Sequence, residues 1–182
     1  MAQAEKAGAQ ALVSAMGPDT NLQLWKALQA AGSDLKVITP AGSVSEATVK
    51  QAGSAADGSY SVASIPAATA DNPTGAAYLK TLKEFGDAKA TPDGVGLRAW
   101  ASVKLSAEVA GTIDGDVDRA SVLKAFGAVH DKKFLWVDSL SFDEKGPIAA
   151  LPRVVSAVTF PQLIKDGTFV AEEPVDPFAT VQ

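Results

Sequence analysis

The chain has 182 residues, of which 47% are hydrophobic and 20% are charged, and its net charge is −5. A chain of this length can bury a core without covalent cross-links, and the sequence has no cysteine for a disulfide, a thiol nucleophile or a thiolate metal site. No run of lysine or arginine indicates a nucleic-acid or anionic-membrane partner, and no apolar run approaches the roughly 20 residues of a membrane-spanning helix.

Three apolar segments near the start of the chain are predicted strands. Residues 11–16, 36–39 and 59–63 are short and apolar or β-branched, and loops with glycine and proline close the first two. Helical segments separate these strands, which predicts a parallel sheet covered by helices. Because such sheets bind small ligands at the carboxyl ends of their strands, function is expected in the loops 17–20 and 40–43.

Two helices connect these strands. Apolar positions recur at helical spacing over residues 21–31 and 46–52, and a glycine follows each segment. Short polar side chains in front of each helix predict an N-cap, because a side-chain oxygen there accepts an orphan backbone N–H. The candidates are Asp19 or Thr20 for the first helix and Ser43 or Ser45 for the second.

A helix-rich section occupies the middle of the chain. Helices are predicted over residues 74–85, 97–110 and 119–126, where apolar side chains recur three and four residues apart. The expected N-caps are Asn72 for the first helix, with Pro73 in its first turn, and Asp116 or Asp118 for the third.

Strands return towards the end of the chain. Residues 134–137 are predicted as a buried strand or core segment, residues 154–160 as a β-branched strand, and Asp166-Gly167 as a hairpin turn. A chain that leaves a sheet, builds elsewhere and then returns indicates two lobes joined by crossovers.

An ordered set of segments resembles one family. The run AGSAADGSYSVASIP at residues 52–66 resembles the segment that precedes the crossover between lobes in type I periplasmic binding proteins of the branched-chain amino-acid-binding group. The helix at 73–86 (PTGAAYLKTLKEFG), the helix at 99–110, the turn at 141–146 (SFDEKG) and the closing strand pair at 154–170 are similar to successive segments of the same family.

The resemblance implies a fold. It is an α/β, three-layer arrangement of parallel sheets with helices, two-lobed and incomplete, because the N-terminal part of the family pattern is missing. Residues 1–65 are expected to be a segment of the second lobe, residues 66–149 a mostly helical segment of the first lobe, and residues 150–182 the return to the second lobe plus a C-terminal tail.

The resemblance also implies a role. Family members are extracytoplasmic receptors that close on a small polar organic solute and deliver it to the membrane permease of an ABC importer. A periplasmic or extracellular protein, lipid-anchored in its full-length form, is therefore expected, with no cofactor, no nucleic-acid partner and no enzymatic activity. An incomplete chain is further expected to form a homodimer or a swapped assembly.

The family's ligand contacts fall on two loops of this sequence. They correspond to Met16, Gly17 and Pro18 after the first strand, Pro40, Ala41 and Gly42 after the second, and Trp100 at the position of a family tyrosine. Amino-acid binders carry an aromatic residue in the first loop and a carboxylate in the second, where this chain has Gly17 and Ala41. Since a buried ammonium without a partner costs several kcal/mol, a carboxylate, an amide or an aromatic acid is the expected ligand.

Other patterns give no catalytic or metal site. His130 is the single histidine and no Gly-x-Ser-x-Gly motif accompanies it, so it is interpreted as a surface residue. The acidic run 114–118 lacks the glycine and glutamate positions of a calcium loop, and residues 93–96 lack the context of a phosphate loop. Two alternative functions remain open at this point, a ligand-sensing module of a signalling protein and a cytosolic α/β enzyme.

Overall fold

The computed structural model describes residues 2–87, 89–148 and 150–178. Within these ranges no helix combines the length and the apolar character needed to cross a membrane. The helices and strands, in chain order, are α1 (Ala2–Lys6), β1 (Ala11–Val13), α2 (Pro18–Ala30), β2 (Lys36–Pro40), α3 (Glu46–Ala52), β3 (Tyr60–Ala63), α4 (Pro73–Phe85), α5 (Gly94–Ala110), α6 (Arg119–Gly127), β4 (Lys132–Phe134), β5 (Val137–Leu140), β6 (Phe160–Lys165) and β7 (Thr168–Ala171).

The chain divides into two compact units. The first unit contains the described residues up to Ser64 together with Val158–Asp176, and the second contains those within Ile65–Ala157 and after Asp176. The first unit therefore combines an N-terminal and a late segment of the sequence, with most of the second unit inserted between β3 and β6. The predicted lobe boundaries at residues 65/66 and 149/150 stay a prediction, and the change of unit near the C-terminus falls after Ala157.

The first unit is built on a five-stranded sheet of order β1-β2-β3-β6-β7. β1, β2 and β3 are parallel, as predicted for a sheet built from alternating strands and helices. β6 runs antiparallel to β3, and β7 antiparallel to β6, so the complete sheet is mixed. The predicted hairpin is confirmed, because Asp166 (φ 52°) and Gly167 (φ 71°) form the turn between β6 and β7.

The core of the first unit lies between one face of this sheet and the helices α2 and α3. Trp25 is 1% exposed, and its indole N–H donates to the Ser59 hydroxyl at 3.0 Å. The same Ser59 oxygen accepts the Val37 N–H at 3.1 Å, which ties α2, β2 and the start of β3 together. The buried members of this core are Trp25, Leu28, Leu35, Val37, Val44, Val49, Ala52, Ala56 and Ile164.

The second unit is mainly helical, with one two-stranded sheet of β4 and β5. As predicted, Asn72 caps α4 by accepting the Gly75 N–H at 2.8 Å, and Asp118 begins α6 in a reciprocal capping box with Ser121. A small core forms where Ala101 of α5 meets Phe134 and Leu140 of the hairpin.

The start of α2 differs from the prediction. Ser45 caps α3, as expected, but α2 begins at Pro18 with Gly17 as its N-cap, and neither Asp19 nor Thr20 caps it. Pro18 explains the earlier start, because proline at the first helical position has a suitable φ and no N–H that would need an acceptor. Asp19 therefore lies in the first turn of the helix.

Two strand predictions need correction. Residues 134–137 are not one strand, because Leu135 has a φ of 50° and lies with Trp136 in the turn between β4 and β5, but the alternative prediction of a core segment is confirmed, since all four residues belong to or pack against the core around Ala101. Residues 154–158 form no strand, and Thr159 makes only an isolated antiparallel bridge with Val175; the ladder with β3 begins at Phe160, which faces Ala63, the last residue of β3. A β-branched segment forms a strand only where a neighbouring strand supplies hydrogen-bonding partners. β3 has four residues, so only a short segment of the returning chain can pair with it.

Candidate functional site

The two predicted loops lie side by side at the carboxyl ends of β1 and β2. The parallel pairing sets Val13 beside Ile38, and the Ser14 N–H continues the ladder by donating to the Ile38 carbonyl at 2.9 Å. The predicted site residues lie where these strands end: Met16 and Gly17 in the first loop with Pro18 at the start of α2, and Pro40 at the end of β2 with Ala41 and Gly42 in the second loop. The structure therefore brings these six residues to one edge of the sheet.

Asn21 joins the two loops. This residue of α2 has no exposed surface, and its carboxamide oxygen accepts the Ser14 hydroxyl at 2.6 Å. Its amide nitrogen donates to the Met16 carbonyl at 2.9 Å in the first loop and to the Ser43 carbonyl at 3.0 Å in the second. A third contact, to the Thr39 hydroxyl, is longer at 3.4 Å. The buried carboxamide thus fixes the relative position of both loops.

Asn21 was missed as a site residue at the sequence level. The helical pattern over residues 21–31 makes Asn21 the first residue of the predicted helix, directly after the expected caps. The available signal was that asparagine is a poor helix former, and that a polar amide lies on the side of the helix that also carries Trp25 and Leu28. A buried amide must have partners, and the loops supply them.

The N-terminus of α2 opens towards the first loop. Gly17 has no side chain to cap the helix, and Pro18 has no N–H. The Asn21 N–H is bonded to the Gly17 carbonyl at 3.0 Å, so the Asp19 and Thr20 N–H groups are the orphan donors of the first turn. Such a helix end carries a partial positive charge and binds carboxylates and phosphates.

The predicted loop residues are accessible to a solute. Met16 is 55% exposed, and Gly17, Pro18, Pro40 and Gly42 are exposed too, with Ala41 half-buried. A side chain at Gly17 would meet no atom within 4 Å, so there is open space in front of the helix end. Next to Thr39, the buried Ser61 hydroxyl has no hydrogen-bond partner within the part of the chain that the structure describes.

Trp100, the seventh predicted residue, belongs to the second unit. It lies on α5, half-buried, with its ring 5.9 Å from the ring of Tyr78 on α4. It also packs against the small core around Ala101 and Phe134. These contacts give Trp100 a packing role, and its place near a ligand stays a prediction.

His130 lies in an exposed ionic cluster in the second unit. Its Nδ1 is 3.0 Å from a carboxylate oxygen of Asp143 and 3.7 Å from one of Glu144. The hydrogen bond that the imidazole donates to Asp143 and the negative charge of Asp143 raise the pKa of His130 above its ordinary value. One histidine and two carboxylates are ligands of zinc-type metals, but all three side chains are exposed and their pairing accounts for the arrangement.

A cavity of about 590 Å³ lies in the same unit, between the end of α5, α6 and β4. Its apolar lining includes Val109 and Ile113, and its charged lining includes Glu108 and Lys132, which pair at 3.0 Å. Hydrogen bonds from Lys132 and Lys104 lower the pKa of Glu108. The charge of Glu108 at this cavity is therefore balanced by two lysines, and none of the six loop residues lines the cavity.

Comparisons with solved structures identify the fold. A possible leucine/isoleucine/valine-binding protein from Rhodopirellula baltica matches with a TM-score of 0.69 at 13% identity, over 90% of this chain and 42% of that chain. An ABC transporter protein from Thermus thermophilus with bound valine matches at 0.65 and 17%, over 99% and 50%. A solute-binding protein from R. palustris in complex with benzoate matches at 0.60 and 19%, over 97% and 46%.

These matches cover nearly all of the present chain but half or less of the solved structures. A search of curated proteins found no significant match. Residues 1–149 match the sequence profile of a family described as periplasmic binding protein. The resemblance noted in the sequence is thereby confirmed, and the chain belongs to the type I periplasmic binding proteins.

Proposed function

We propose that this chain contributes a solute-binding surface to an extracytoplasmic receptor that captures a small polar organic solute for an ABC importer. The candidates for the solute are an organic or aromatic acid, an amide or an amino acid. The membrane permease of the importer is the proposed protein partner, and the receptor performs no chemical reaction. Family membership supports the location outside the cytoplasm, and a lipid anchor on the full-length protein is part of the proposal.

The observation that carries the proposal is the pair of loops fixed by Asn21 in front of the N-terminus of α2. Small and proline residues leave backbone groups accessible there, and Asn21 holds the loops in place through Met16 and Ser43. A preformed polar surface of this kind costs little ordering entropy when a solute binds. We assign residues 1–65 and 150–182 to the second lobe of the receptor, and residues 66–149 to the first.

Among the candidate solutes, a carboxylate without an amine fits this surface best. The N–H groups of Asp19 and Thr20 can donate to a carboxylate, whereas Gly17 and Ala41 offer no charge for an ammonium. The relative from R. palustris was solved with benzoate and the relative from T. thermophilus with valine. Both ligands carry a carboxylate, but only valine has an amine; they also differ in that benzoate has an aromatic ring and valine an aliphatic side chain.

The test is NMR titration of the isotope-labelled chain with benzoate and with valine. We expect benzoate to shift the amide signals of Gly17, Asp19 and Thr20 at millimolar concentration. The affinity is expected to be weak, because one wall of a cleft buries only part of a ligand's surface. Valine is expected to shift these signals at least about tenfold less at equal concentration, a difference of about 1.4 kcal/mol in binding free energy.

Two substitutions at one position sharpen this test. Gly17→Asp places a carboxylate at the N-cap, where it accepts the orphan N–H groups, and open space surrounds that position. It should stabilise the chain by a few tenths of a kcal/mol and abolish the benzoate shifts. Gly17→Ala, the matched control, leaves the N–H groups free and should retain binding. Valine shifts that exceed those of benzoate, or benzoate shifts unaffected by Gly17→Asp, would contradict the proposal.

A further inference from the structure

One face of the sheet in the first unit is apolar, and its exposed residues show that no helix in the described part of the chain covers it. Alternation along β2 points Val37 and Thr39 into the core and Ile38 to the opposite face. The strand pairings continue the line of Ile38 across the sheet in both directions. The resulting apolar row has one residue from each strand: Val13, Ile38, Tyr60, Leu163 and Val170.

The apolar row is accessible along much of its length. Val13 is 83% exposed, Val170 43% and Ile38 36%, while Tyr60 and Leu163 in the centre are half-buried. Single exposed apolar residues are ordinary, but a continuous row across five strands is not. Parallel strands of the α/β type are normally covered on both faces.

A second row and two charged margins complete this surface. Pro40, Val62 and Pro161 are aligned by the same pairings next to the apolar row. Lys36 and Lys165 lie on the same face, at the margin next to the amino end of β2. Glu172 lies at the opposite margin, where its N–H donates to the Pro161 carbonyl at 3.0 Å. We call this whole surface, from the lysine margin to the glutamate margin, the open face.

We propose that the open face pairs with the open face of a second copy of this chain. The five strands are about 4.8 Å apart, and the three rows (the lysine margin, the apolar row and the row of Pro40, Val62 and Pro161) are about 6.8 Å apart. The open face therefore measures about 24 by 20 Å, and a face-to-face pair buries about 1,000 Å² in total. Stable interfaces begin near about 1,200 Å², and a weak dimer with a dissociation constant of tens of micromolar is therefore expected. The pairing does not depend on the proposed solute.

The charges select the orientation of the two copies. A two-fold axis along the strands, through β3 in the centre, would set Lys36 opposite Lys165 of the second copy and so oppose like charges. A two-fold axis across the strands instead sets the lysine margin of one copy over the glutamate margin of the other. Lys165 then lies near Glu172 of the second copy, and this attraction specifies an isologous dimer.

The test is sedimentation equilibrium of the full chain, without solute, from about 1 to 500 µM. We expect a monomer–dimer equilibrium that Ile38→Lys and Val170→Lys each weaken at least about tenfold. Both positions are exposed, so the variants should keep the circular dichroism spectrum of the parent chain. Val103→Lys on α5 is the matched control, since Val103 is 70% exposed and lies in the second unit, and it should leave association unchanged.

The margins provide an independent readout. Glu172→Lys should weaken the dimer, and the further change Lys165→Glu should restore it, because the charges are exchanged rather than removed. A chain that stays monomeric throughout this range, with the open face bound instead by an amphipathic helix of another polypeptide, would overturn the proposal. An equal effect of Val103→Lys and Ile38→Lys would overturn it as well.

Discussion

The two units of the molecule hold themselves together in different ways. The first unit has a continuous core in which one helix residue, Trp25, reaches the sheet both by packing and by a hydrogen bond to Ser59. The second unit buries Tyr78, Leu97 and Val109 as well as the cluster around Phe134 and Leu140, and it carries ion pairs on its surface, such as Lys104–Glu108 and Lys133–Asp138. Exposed ion pairs contribute little to stability, so the first unit is expected to be the more resistant to unfolding.

The comparison teaches where a binding surface can be rigid. In the first unit, the loops at the end of the sheet are anchored on a buried amide, Asn21, which is itself held by a well-packed helix. In the second unit, the charged residues Glu108 and Lys132 at the cavity pair with each other at the surface, with no buried amide like Asn21 holding them among the described residues. Four substitutions test this contrast, in order of decreasing effect.

The largest effect is expected from Trp25→Ala. Trp25 is 1% exposed, and its loss leaves a cavity beneath β2 and removes the partner of the Ser59 hydroxyl. We expect a loss of about 4 kcal/mol in the free energy of unfolding, measured by denaturant titration with circular dichroism. Trp136→Ala in the second unit, where the indole is half-buried in a hairpin turn, should cost less than half as much. Equal losses would contradict the difference between the two cores.

Asn21→Ala should follow, with a loss of about 3 kcal/mol, because it leaves the Met16 and Ser43 carbonyls and the Ser14 hydroxyl without their partner. The same change should increase the rate of amide hydrogen exchange in both loops. Gln23→Ala provides the control, as Gln23 is an exposed amide on the same helix. Unchanged exchange in the loops after Asn21→Ala would show that this residue does not anchor them.

Gly75→Ala should destabilise the second unit by about 2 kcal/mol, although alanine normally stabilises a helix relative to glycine. The added Cβ would lie 2.0 Å from the Thr69 carbonyl oxygen, in the segment that Asn72 ties to the start of α4. Gly127→Ala at the end of α6 meets no atom within 4 Å and should stabilise its helix by up to about 1 kcal/mol. Thermal melts that move in the same direction for both variants would contradict this expectation.

The smallest effect concerns His130. Its raised pKa means that the ion pair with Asp143 stabilises the folded state below pH 6.5, the ordinary pKa, and that this contribution is lost as pH rises through the raised value. Asp143→Asn should return the pKa towards 6.5, as measured by NMR titration of the imidazole signals. Glu144→Gln should have a smaller effect, because Glu144 is farther from the ring. A pKa that is the same in all three proteins would refute the pairing.

Local patterns were sufficient for most helices and for the parallel strands. The caps at Ser45, Asn72 and Asp118 and the turn at Asp166-Gly167 depend on residues within a few positions of each other, and the sequence displays them directly. The position of the two loops at one edge of the sheet also followed from alternating strands and helices. Such features require no knowledge of distant contacts.

The failures have a common physical origin in long-range partners. Residues 134–137 carry the apolar content of a strand, but a left-handed residue, Leu135, reverses the chain within them. β6 starts at Phe160 because β3, about a hundred residues earlier, determines where a ladder is possible. Asn21 belongs to the site because its amide donates hydrogen bonds to carbonyls in two separate loops. None of these partners is visible in a local window of sequence.

The insertion of the second unit between β3 and β6 has a consequence during synthesis. On the ribosome, Tyr60 emerges long before its neighbour Leu163, so β3 waits as an unpaired edge while the intervening segment is made. An unpaired edge of this kind is a template for pairing with other chains, so we expect the nascent polypeptide to be prone to aggregation until β6 has been made.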